Sequence, residues 1–385
     1  MNTAHPRCAS QRPTYEWTSG RDPCNITPTS SKAAGPSVFS FDVRRSMFNV
    51  RCSGFPPFVP SCLRAFVPFL VFLLILTSTS PLSAQSFSRV VAFGDSLTDT
   101  GNIFDVTSDR FNAFLLSILF PELDPPIPGP PYFDGRFSNG PVWVEHLSSR
   151  WGLGPMVPSE NGGFNYAVGG AKTFNDGALN LIFPVDVVVQ VDSYLNSRVP
   201  AGDELFVVEG GANDLLSGGV TDVTIPAGNL ATFITALYNA GGRNFLVPNL
   251  PPLGQIPSRV GGPNEAILDA RSIAFNNDLA TRLNALEQTL PDIEIFAVDF
   301  FGKMQEVLAT PGAFGFTNIM DAAYNETTGT VVPNPNAHLF WDDIHPTARA
   351  HRLLGLLAAA SIPEPGGTVL FIIAAATSLA RRRRP

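Results

Sequence analysis

Cysteine is scarce in this 385-residue sequence and is confined to its N-terminal part. If a leader is removed near Ala84, as described below, the remaining chain contains no cysteine. A cysteine nucleophile, a zinc–thiolate site, an iron–sulfur cluster and a disulfide framework are therefore excluded for that chain. The four cysteines of the full sequence are Cys8, Cys24, Cys52 and Cys62.

Basic residues are also scarce in the body of the chain. Residues 85–365 contain 13 Lys and Arg residues against 30 Asp and Glu residues, a difference of −17, whereas the formal net charge of the whole sequence is −8. A surface this acidic does not attract nucleic acid or anionic lipid headgroups through bulk charge. We therefore expect no nucleic-acid partner.

Apolar runs as long as the roughly 20 residues of a membrane-spanning helix are lacking. The run 65–77 covers about 13 residues, follows Arg64 and leads into small residues that end at Ala84. A basic flank, a short apolar stretch and a small-residue exit are typical of a secretory signal peptide. We predict that residues 1–84 are a disordered extension and a signal peptide. Met47 is an alternative start, which would make the residues before it a gene-model artefact.

A second apolar run, 368–380, lies near the C-terminus between Pro-Glu-Pro and four arginines. Its length is marginal for a membrane span, and the arginines would stay in the cytoplasm. A tail anchor or a packed helix are alternatives. The order of the three parts resembles the PEP-CTERM sorting signal of Gram-negative bacteria. That resemblance implies transient membrane anchoring, an exosortase as partner, and a destination at the cell surface or in exopolysaccharide, with residues 362–385 as the sorting segment.

Residues 85–361 contain no long linker and no repeat, which predicts a single α/β domain. Short, continuously apolar runs alternate with longer helical patterns, and this predicts a parallel sheet of about five strands covered on both faces. Ligands of such sheets bind beyond the carboxyl ends of the strands. The predicted strands are 89–93, 165–168, 205–209, 245–248 and 293–298, and the predicted helices are 142–150, 230–240, 264–289 and 347–360.

Small and polar residues follow the predicted strands. Gly94-Asp95-Ser96 follows the first, and Ser96 is there either a nucleophile or a helix cap. Gly169 and Gly170 follow the second strand, and glycine lets a backbone N–H approach an oxyanion closely. Asn213 follows the third and supplies a neutral NH₂ group. Acyl transfer needs such donors, although each motif alone also fits a turn or a cap.

Histidine is scarce as well, with four residues after the predicted leader. A serine hydroxyl needs a base, and His345 is the best placed because it precedes a proline at a loop-to-helix junction. Asp342, three residues earlier, can reach the imidazole Nδ1 and orient it, whereas Asp95 is expected to brace the turn at Ser96. A helix start capped by the proline, with a solvated pair of aspartates at 342 and 343, is the alternative for this segment. The other three are interpreted as packed, surface or loop residues: His146, His338 and His351.

The segments FGDSLTDTGN, NYAVGGAKT, GGAND and DDIHPT resemble, in this order, four blocks of the GDSL/SGNH hydrolase family. The resemblance covers nearly all of residues 85–360, and the segment 130–147 is similar to the one that joins the first two blocks in secreted bacterial members. It implies a three-layer α/β/α sandwich. It also implies Ser96 as nucleophile, His345 as base, Asp342 as its orienting acid, and Gly170, Asn213 and the N–H of Ser96 as oxyanion donors.

The sequence thus predicts a secreted esterase or lipase that hydrolyses carboxylic esters, without a metal or organic cofactor. Its partners would be the ester substrate, a lipid or an acylated carbohydrate, and the export machinery. An acyltransferase of the same fold and a non-catalytic surface or exopolysaccharide protein are the alternatives. The apolar segment 111–120 is interpreted as a core helix, with an acyl pocket or a lid as the alternative. The elbow G-x-S-x-G of α/β-hydrolases is absent.

Overall fold

Four parallel strands form the central sheet, and each is a short, largely apolar run; the first three are buried along their whole length, whereas Glu294 and Ala297 of the fourth are exposed. The computed structural model describes residues 86–363 apart from 122–123, 176–179, 181–184 and 218, so the predicted leader and sorting segment lie outside the described residues. The strands are β1 (Val90–Phe93), β2 (Leu205–Val208), β3 (Asn244–Pro248) and β4 (Glu294–Val298). Neighbouring strands pair in parallel in the order β1-β2-β3-β4.

The predicted strand 165–168 lies beside β1, but only as an isolated bridge between Ala92 and Asn165. Backbone hydrogen bonds still tie it to β1, including Tyr166 N–H to Ala92 O (2.7 Å) and Val168 N–H to Gly94 O (3.1 Å). The ladder is interrupted at Gly94, whose N–H donates to Oε1 of Gln190 (3.0 Å) and not to this segment. The described sheet therefore has four strands, with this segment extending it at the β1 edge.

Helices cover both faces of the sheet. They are α1 (Asn102–Ser108), α2 (Arg110–Leu119), α3 (Trp143–Arg150), α4 (Val187–Ser197), α5 (Ala212–Leu216), α6 (Thr224–Asn239), α7 (Glu265–Thr289), α8 (Phe300–Ala309) and α9 (Ala348–Ala360).

Successive residues of a strand point to opposite faces of the sheet, so each strand contributes to two hydrophobic clusters. On one face Phe206 and Phe245 pack with α4, α6 and α7, and on the other Val207 and Leu246 pack with α3 and α9. The fold is therefore a three-layer α/β/α sandwich.

Short elements fill the segment between α8 and α9. A parallel pair brings the chain to the turn before α9, and a small hairpin projects from it. Four short 3₁₀ helices complete the described secondary structure: Ser159–Asn161, Leu253–Gln255, Pro311–Phe314 and Pro335–Ala337. The strands are β5 (Asn318–Ala322), β6 (Tyr324–Asn325), β7 (Thr330–Val331) and β8 (His338–Phe340), in which β5 pairs with β8 and β6 with β7.

The helix α2 corresponds to the apolar segment 111–120, and its interpretation as a core helix is wrong. Leu116 is its one buried residue, whereas Phe111 and Phe114 are 70% and 63% exposed. Its apolar face therefore points to solvent. Among the described helices, none combines the length and the hydropathy that crossing a bilayer requires.

Candidate active site

Ser96 lies in a tight turn directly after β1. The backbone oxygen of Asp95 accepts from the N–H groups of Thr98 (3.0 Å) and Asp99 (2.9 Å), and Oδ1 of Asp95 accepts from Leu97 N–H (3.0 Å). Gly94 is required at the end of the strand because a Cβ atom there would collide with the carboxylate of Glu209. The next helix begins only at Asn102, so Ser96 caps no helix.

Ser96, His345 and Asp342 form a continuous hydrogen-bonded chain. Ser96 Oγ lies 2.8 Å from Nε2 of His345, and Nδ1 of His345 lies 2.7 Å from Oδ2 of Asp342. The other carboxylate oxygen, Oδ1, accepts from the backbone N–H groups of Ile344 (2.8 Å) and His345 (2.6 Å). The turn between β8 and α9 therefore holds acid and base rigidly to each other and aims the imidazole at the serine.

Charge around His345 favours its protonated form. Burial lowers the pKa of His345, but the charge and the hydrogen bond of Asp342, together with the charges of Asp95 and Glu326, raise it above its ordinary value. For Asp342, burial raises the pKa, yet His345 and the two backbone N–H donors hold it below the usual range. The pair is thus poised to stabilise an imidazolium.

The backbone N–H of Gly170 has no hydrogen-bond partner among the described residues, and the same holds for the N–H of Ser96. The N–H of Gly169, in contrast, donates to Oδ2 of Asp99 (2.9 Å). Gly170 is exposed and has a φ of 82°, a left-handed conformation that favours glycine. Of the two adjacent glycines, only Gly170 therefore has a donor to offer a ligand.

The side chain of Asn213 belongs to the first turn of α5. Its Nδ2 donates to the backbone oxygen of Ala171 (3.0 Å) and lies 3.4 Å from Oδ2 of Asp95. The second contact is at the limit of a hydrogen bond. One amide hydrogen is therefore held firmly, and the other is weakly engaged and available to a ligand.

Beneath the serine lies a buried acid pair that sequence reasoning did not identify. Glu209, directly after β2, accepts from the N–H of Asp95 (3.0 Å) and from Oγ1 of Thr98 (3.2 Å). Burial raises the pKa of Asp95 to about 6, and burial together with the Asp95 charge raises that of Glu209 well above its ordinary value. The one available signal was a charged residue at the end of an apolar strand.

Two aromatic residues from the segment 130–147 also reach the site and were not assigned roles from the sequence. The hydroxyl oxygen of Tyr132 lies 2.8 Å from Oδ2 of Asp342, and the ring of Phe137 packs 5.0 Å from the imidazole of His345. Both contacts link positions about 210 residues apart, which no local spacing could have paired.

The three remaining histidines do not contact Ser96. Nδ1 of His351 accepts from the N–H of Trp143 (3.2 Å), and burial lowers the pKa of His351 to about 3. Nδ1 of His338 lies 3.1 Å from the backbone oxygen of Asp321, and burial lowers the pKa of His146. In the described part of the chain, no three His, Cys, Asp or Glu side chains are grouped so that they could hold a metal ion.

An apolar pocket opens beside the serine and runs toward α8 and α9. Ser96, Asn213 and His345 line its polar end. The segment 111–120 contributes no residue to it. The rest of the lining is mostly apolar and includes Leu216, Pro252, Ile256, Phe300, Met304 and Leu354. Such a site accepts a hydrocarbon group whose reactive end stays at the serine.

A Ser–His–Asp hydrogen-bonded chain at the carboxyl edge of a parallel sheet is an arrangement that can support nucleophilic acyl transfer. The family model described as GDSL-like Lipase/Acylhydrolase matches residues 90–357, and the chain belongs to this family. The chain is thus a carboxylic-ester hydrolase, as the resemblance had implied.

Known proteins are similar in sequence to this chain over most of its length. It is 27% identical to the GDSL esterase/lipase EXL2 of Arabidopsis thaliana, over 74% of this chain and 92% of the relative. It is 28% identical to a phosphatidylcholine-sterol acyltransferase of Aeromonas hydrophila, over 78% of this chain and 95% of the relative. A solved structure of Axe2, an acetylxylan esterase from Geobacillus stearothermophilus, is similar with a TM-score of 0.38 and 12% identity, over 73% of this chain and 94% of that structure.

Proposed function

We propose that the chain hydrolyses carboxylic esters through a covalent acyl-enzyme formed on Ser96. The observation that carries this proposal is the hydrogen bond of 2.8 Å between Ser96 Oγ and Nε2 of a histidine whose Nδ1 is held by a carboxylate. A serine hydroxyl becomes a competent nucleophile when such a base takes its proton.

In the first half-reaction Oγ of Ser96 attacks the ester carbonyl carbon while Nε2 of His345 takes the hydroxyl proton. The oxyanion receives hydrogen bonds from the N–H groups of Ser96 and Gly170 and from Nδ2 of Asn213. His345 then gives its proton to the leaving alcohol, and Asp342 stabilises the imidazolium between these steps. In the second half-reaction His345 takes a proton from water, which attacks the acyl carbonyl carbon, and then returns that proton to Oγ of Ser96 as the acid is released.

The substrate class we propose is an ester of an acyl chain longer than acetyl. The apolar pocket that begins at Ser96 supports this proposal, because its lining offers hydrocarbon contacts and few polar partners. A bare acetyl group would leave most of that apolar lining without a partner. The test is a series of p-nitrophenyl esters of increasing chain length, measured with the wild-type chain and with Ser96→Ala.

Transfer of the acyl group to an alcohol is the second candidate, favoured by the similarity to an acyltransferase. The same acyl-enzyme would then be attacked by an alcohol in place of water. Adding a competing acceptor alcohol to the assay separates the two. A new ester product that grows with acceptor concentration indicates transfer, whereas free acid alone indicates hydrolysis.

Export and sorting to the cell surface are part of the same proposal. The apolar run 65–77 with its basic flank, and the tripartite end of the chain, support it. Expression in a Gram-negative host, followed by fractionation of cells and medium, tests the destination. A variant without the four terminal arginines should lose correct sorting but keep esterase activity in the lysate.

A further inference from the structure

The hydroxyl of Tyr132 lies between two carboxylates, one of which belongs to the catalytic chain. Its Oη is 2.8 Å from Oδ2 of Asp342 and 2.6 Å from Oε1 of Glu326. Oδ2 of Asp342 is also the oxygen that contacts Nδ1 of His345, at 2.7 Å. Tyr132 is therefore one hydrogen bond away from the histidine on one side and in contact with an exposed carboxylate on the other.

The ring of Tyr132 is fixed by its neighbours. It makes edge-to-face contacts with Phe137 at 6.2 Å, Tyr324 at 5.7 Å and Trp341 at 5.9 Å between ring centres. Three such contacts restrict the two side-chain torsions of a tyrosine. The position of its hydroxyl group is thus determined by packing and not by the carboxylates alone.

The phenol has one hydrogen and two carboxylates within reach. Burial, and then the charge of Asp342, raise the pKa of Tyr132, so the phenol keeps its hydrogen at any pH of interest. A hydrogen donated to Asp342 withdraws charge from the oxygen that holds His345. A hydrogen donated to Glu326 leaves that charge on Asp342 undiminished.

We propose that Tyr132 is a positioning residue for the catalytic acid, and that Glu326 competes with Asp342 for its hydroxyl hydrogen. The inference rests on the proposed function of Ser96, His345 and Asp342. Tyr132 contacts the same oxygen of Asp342 as His345 does and moderates the basicity of that oxygen. Glu326, at the protein surface, draws the hydroxyl hydrogen away from Asp342 and so leaves more negative charge on the oxygen that holds His345. The pKa of His345 therefore responds, through Glu326, to the ions in solution.

Several charged groups face His345 and contribute to its titration. Asp342 lies on its own turn, Glu326 lies directly after β6, and Asp95 lies after β1. Burial, and then the charge of His345, lower the pKa of His351, which lies one turn into α9. Glu209 is in contact with Asp95, the member of this set that lies after β1. Of these groups, Asp342 and Glu326 are the two in contact with Tyr132.

Two variants should move the pH profile of kcat/KM in opposite directions. Tyr132→Phe removes a donor from Asp342, so the imidazolium is better stabilised and the acid limb moves to higher pH by about half a unit. Its kcat should fall by about 10-fold with little change in KM, because Asp342 is held less firmly. Glu326→Gln removes a negative charge and leaves the phenol hydrogen to Asp342, so the limb moves to lower pH.

Two further measurements, on the double variant and at high salt, distinguish competition for the hydroxyl hydrogen of Tyr132 from the effect of the Glu326 charge alone. In the Tyr132→Phe background, Glu326→Gln should shift the limb less than it does in the wild-type chain, since only its charge acts there. High salt should reduce the remaining shift. Equal shifts in both backgrounds would overturn the competition for the hydrogen.

Tyr324→Phe is the matched control, since Tyr324 packs in the same aromatic group and no hydrogen bond of its hydroxyl to a described carboxylate is seen. We expect it to keep the wild-type pH profile. If Tyr132→Phe also keeps that profile and its kcat, Tyr132 has no positioning role, even where Ser96→Ala is inactive. If Ser96→Ala is fully active, the proposed function itself fails, whatever the tyrosine variants show.

Discussion

The N–H of Gly169 donates to Oδ2 of Asp99 across 70 residues of sequence. The same carboxylate accepts from the N–H groups of Gly101 and Asn102, both at 2.7 Å, and thereby anchors the start of α1. One buried carboxylate thus joins the loop after 165–168 to the turn that carries Ser96. Because Gly169 is engaged, the N–H of Gly170 is the one left to act as a donor from this loop.

The first prediction concerns this anchor. Asp99→Ala removes four hydrogen bonds that the carboxylate accepts from buried backbone N–H groups, those of Gly101, Asn102, Ile103 and Gly169, and we expect the free energy of unfolding to fall by about 2–5 kcal/mol. Where the variant folds, kcat should fall more than KM changes, because Gly170 is no longer held in place. Thermal unfolding and steady-state kinetics measure both, with Asp105→Asn on the outer side of α1 as the control.

The second prediction concerns the oxyanion donors. Asn213→Ala should lower kcat by ~10²–10³ while KM for a p-nitrophenyl ester changes little, because the lost donor acts mainly in the transition state. Ser217→Ala, one turn further along the chain, removes a hydroxyl that only donates to the backbone oxygen of Asn213. We expect near wild-type kinetics from that control. Equal kinetics for both variants would contradict the role of Asn213.

The third prediction concerns pH. His345 must be neutral to act as a base, so kcat/KM should rise as the pH increases through its pKa. That pKa is raised, so the acid limb should lie above the roughly 6.5 of an ordinary histidine. Asp95 ionises near pH 6 and its charge raises the pKa of His345. Asp95→Asn should therefore move the acid limb to lower pH, and a shift to higher pH would contradict this assignment.

The fourth prediction concerns the apolar pocket. Met304 on α8 is buried and lines the pocket. Each added methylene that the pocket buries contributes about 0.8 kcal/mol, so kcat/KM should rise about fourfold per methylene until the pocket is full. Met304→Ala should move this limit to longer chains, and Met304→Trp to shorter ones. Val307→Ala, buried on the same helix but outside the pocket lining, should leave the limit unchanged.

The four strands of the central sheet could be predicted from the sequence almost to the residue, whereas the short strands β5 to β8 were not predicted. Buried parallel strands are short, continuously apolar runs, and β1 to β4 lie within one residue of their predicted ends. The segment 165–168 was predicted as a full strand, and it falls short because the N–H of Gly94 donates to the side chain of Gln190 and not to this segment. The helix α4 was missed because its sequence, VVVQVDSYLNS, begins with β-branched residues that favour strands.

The residues of the candidate site also fall into those that the sequence could identify and those that it could not. Ser96, Asn213 and the pair Asp342 and His345 follow strands or lie in one local turn, so their positions along the chain, together with the family resemblance, were enough to select them as candidates. Glu209 and Tyr132 reach the site through contacts spanning 114 and 210 residues. Their roles depend on how loops pack, and no spacing in the sequence encodes that.

The central claim is that Ser96 carries the acyl group. Mass spectrometry of the chain after a short reaction with a slowly hydrolysed p-nitrophenyl ester, followed by peptide mapping, tests it most directly. We predict an added acyl mass on the peptide that contains Ser96, lost on standing in water and absent from Ser96→Ala. Ester hydrolysis at the wild-type rate by Ser96→Ala, or an acyl group found on another residue, would contradict the account.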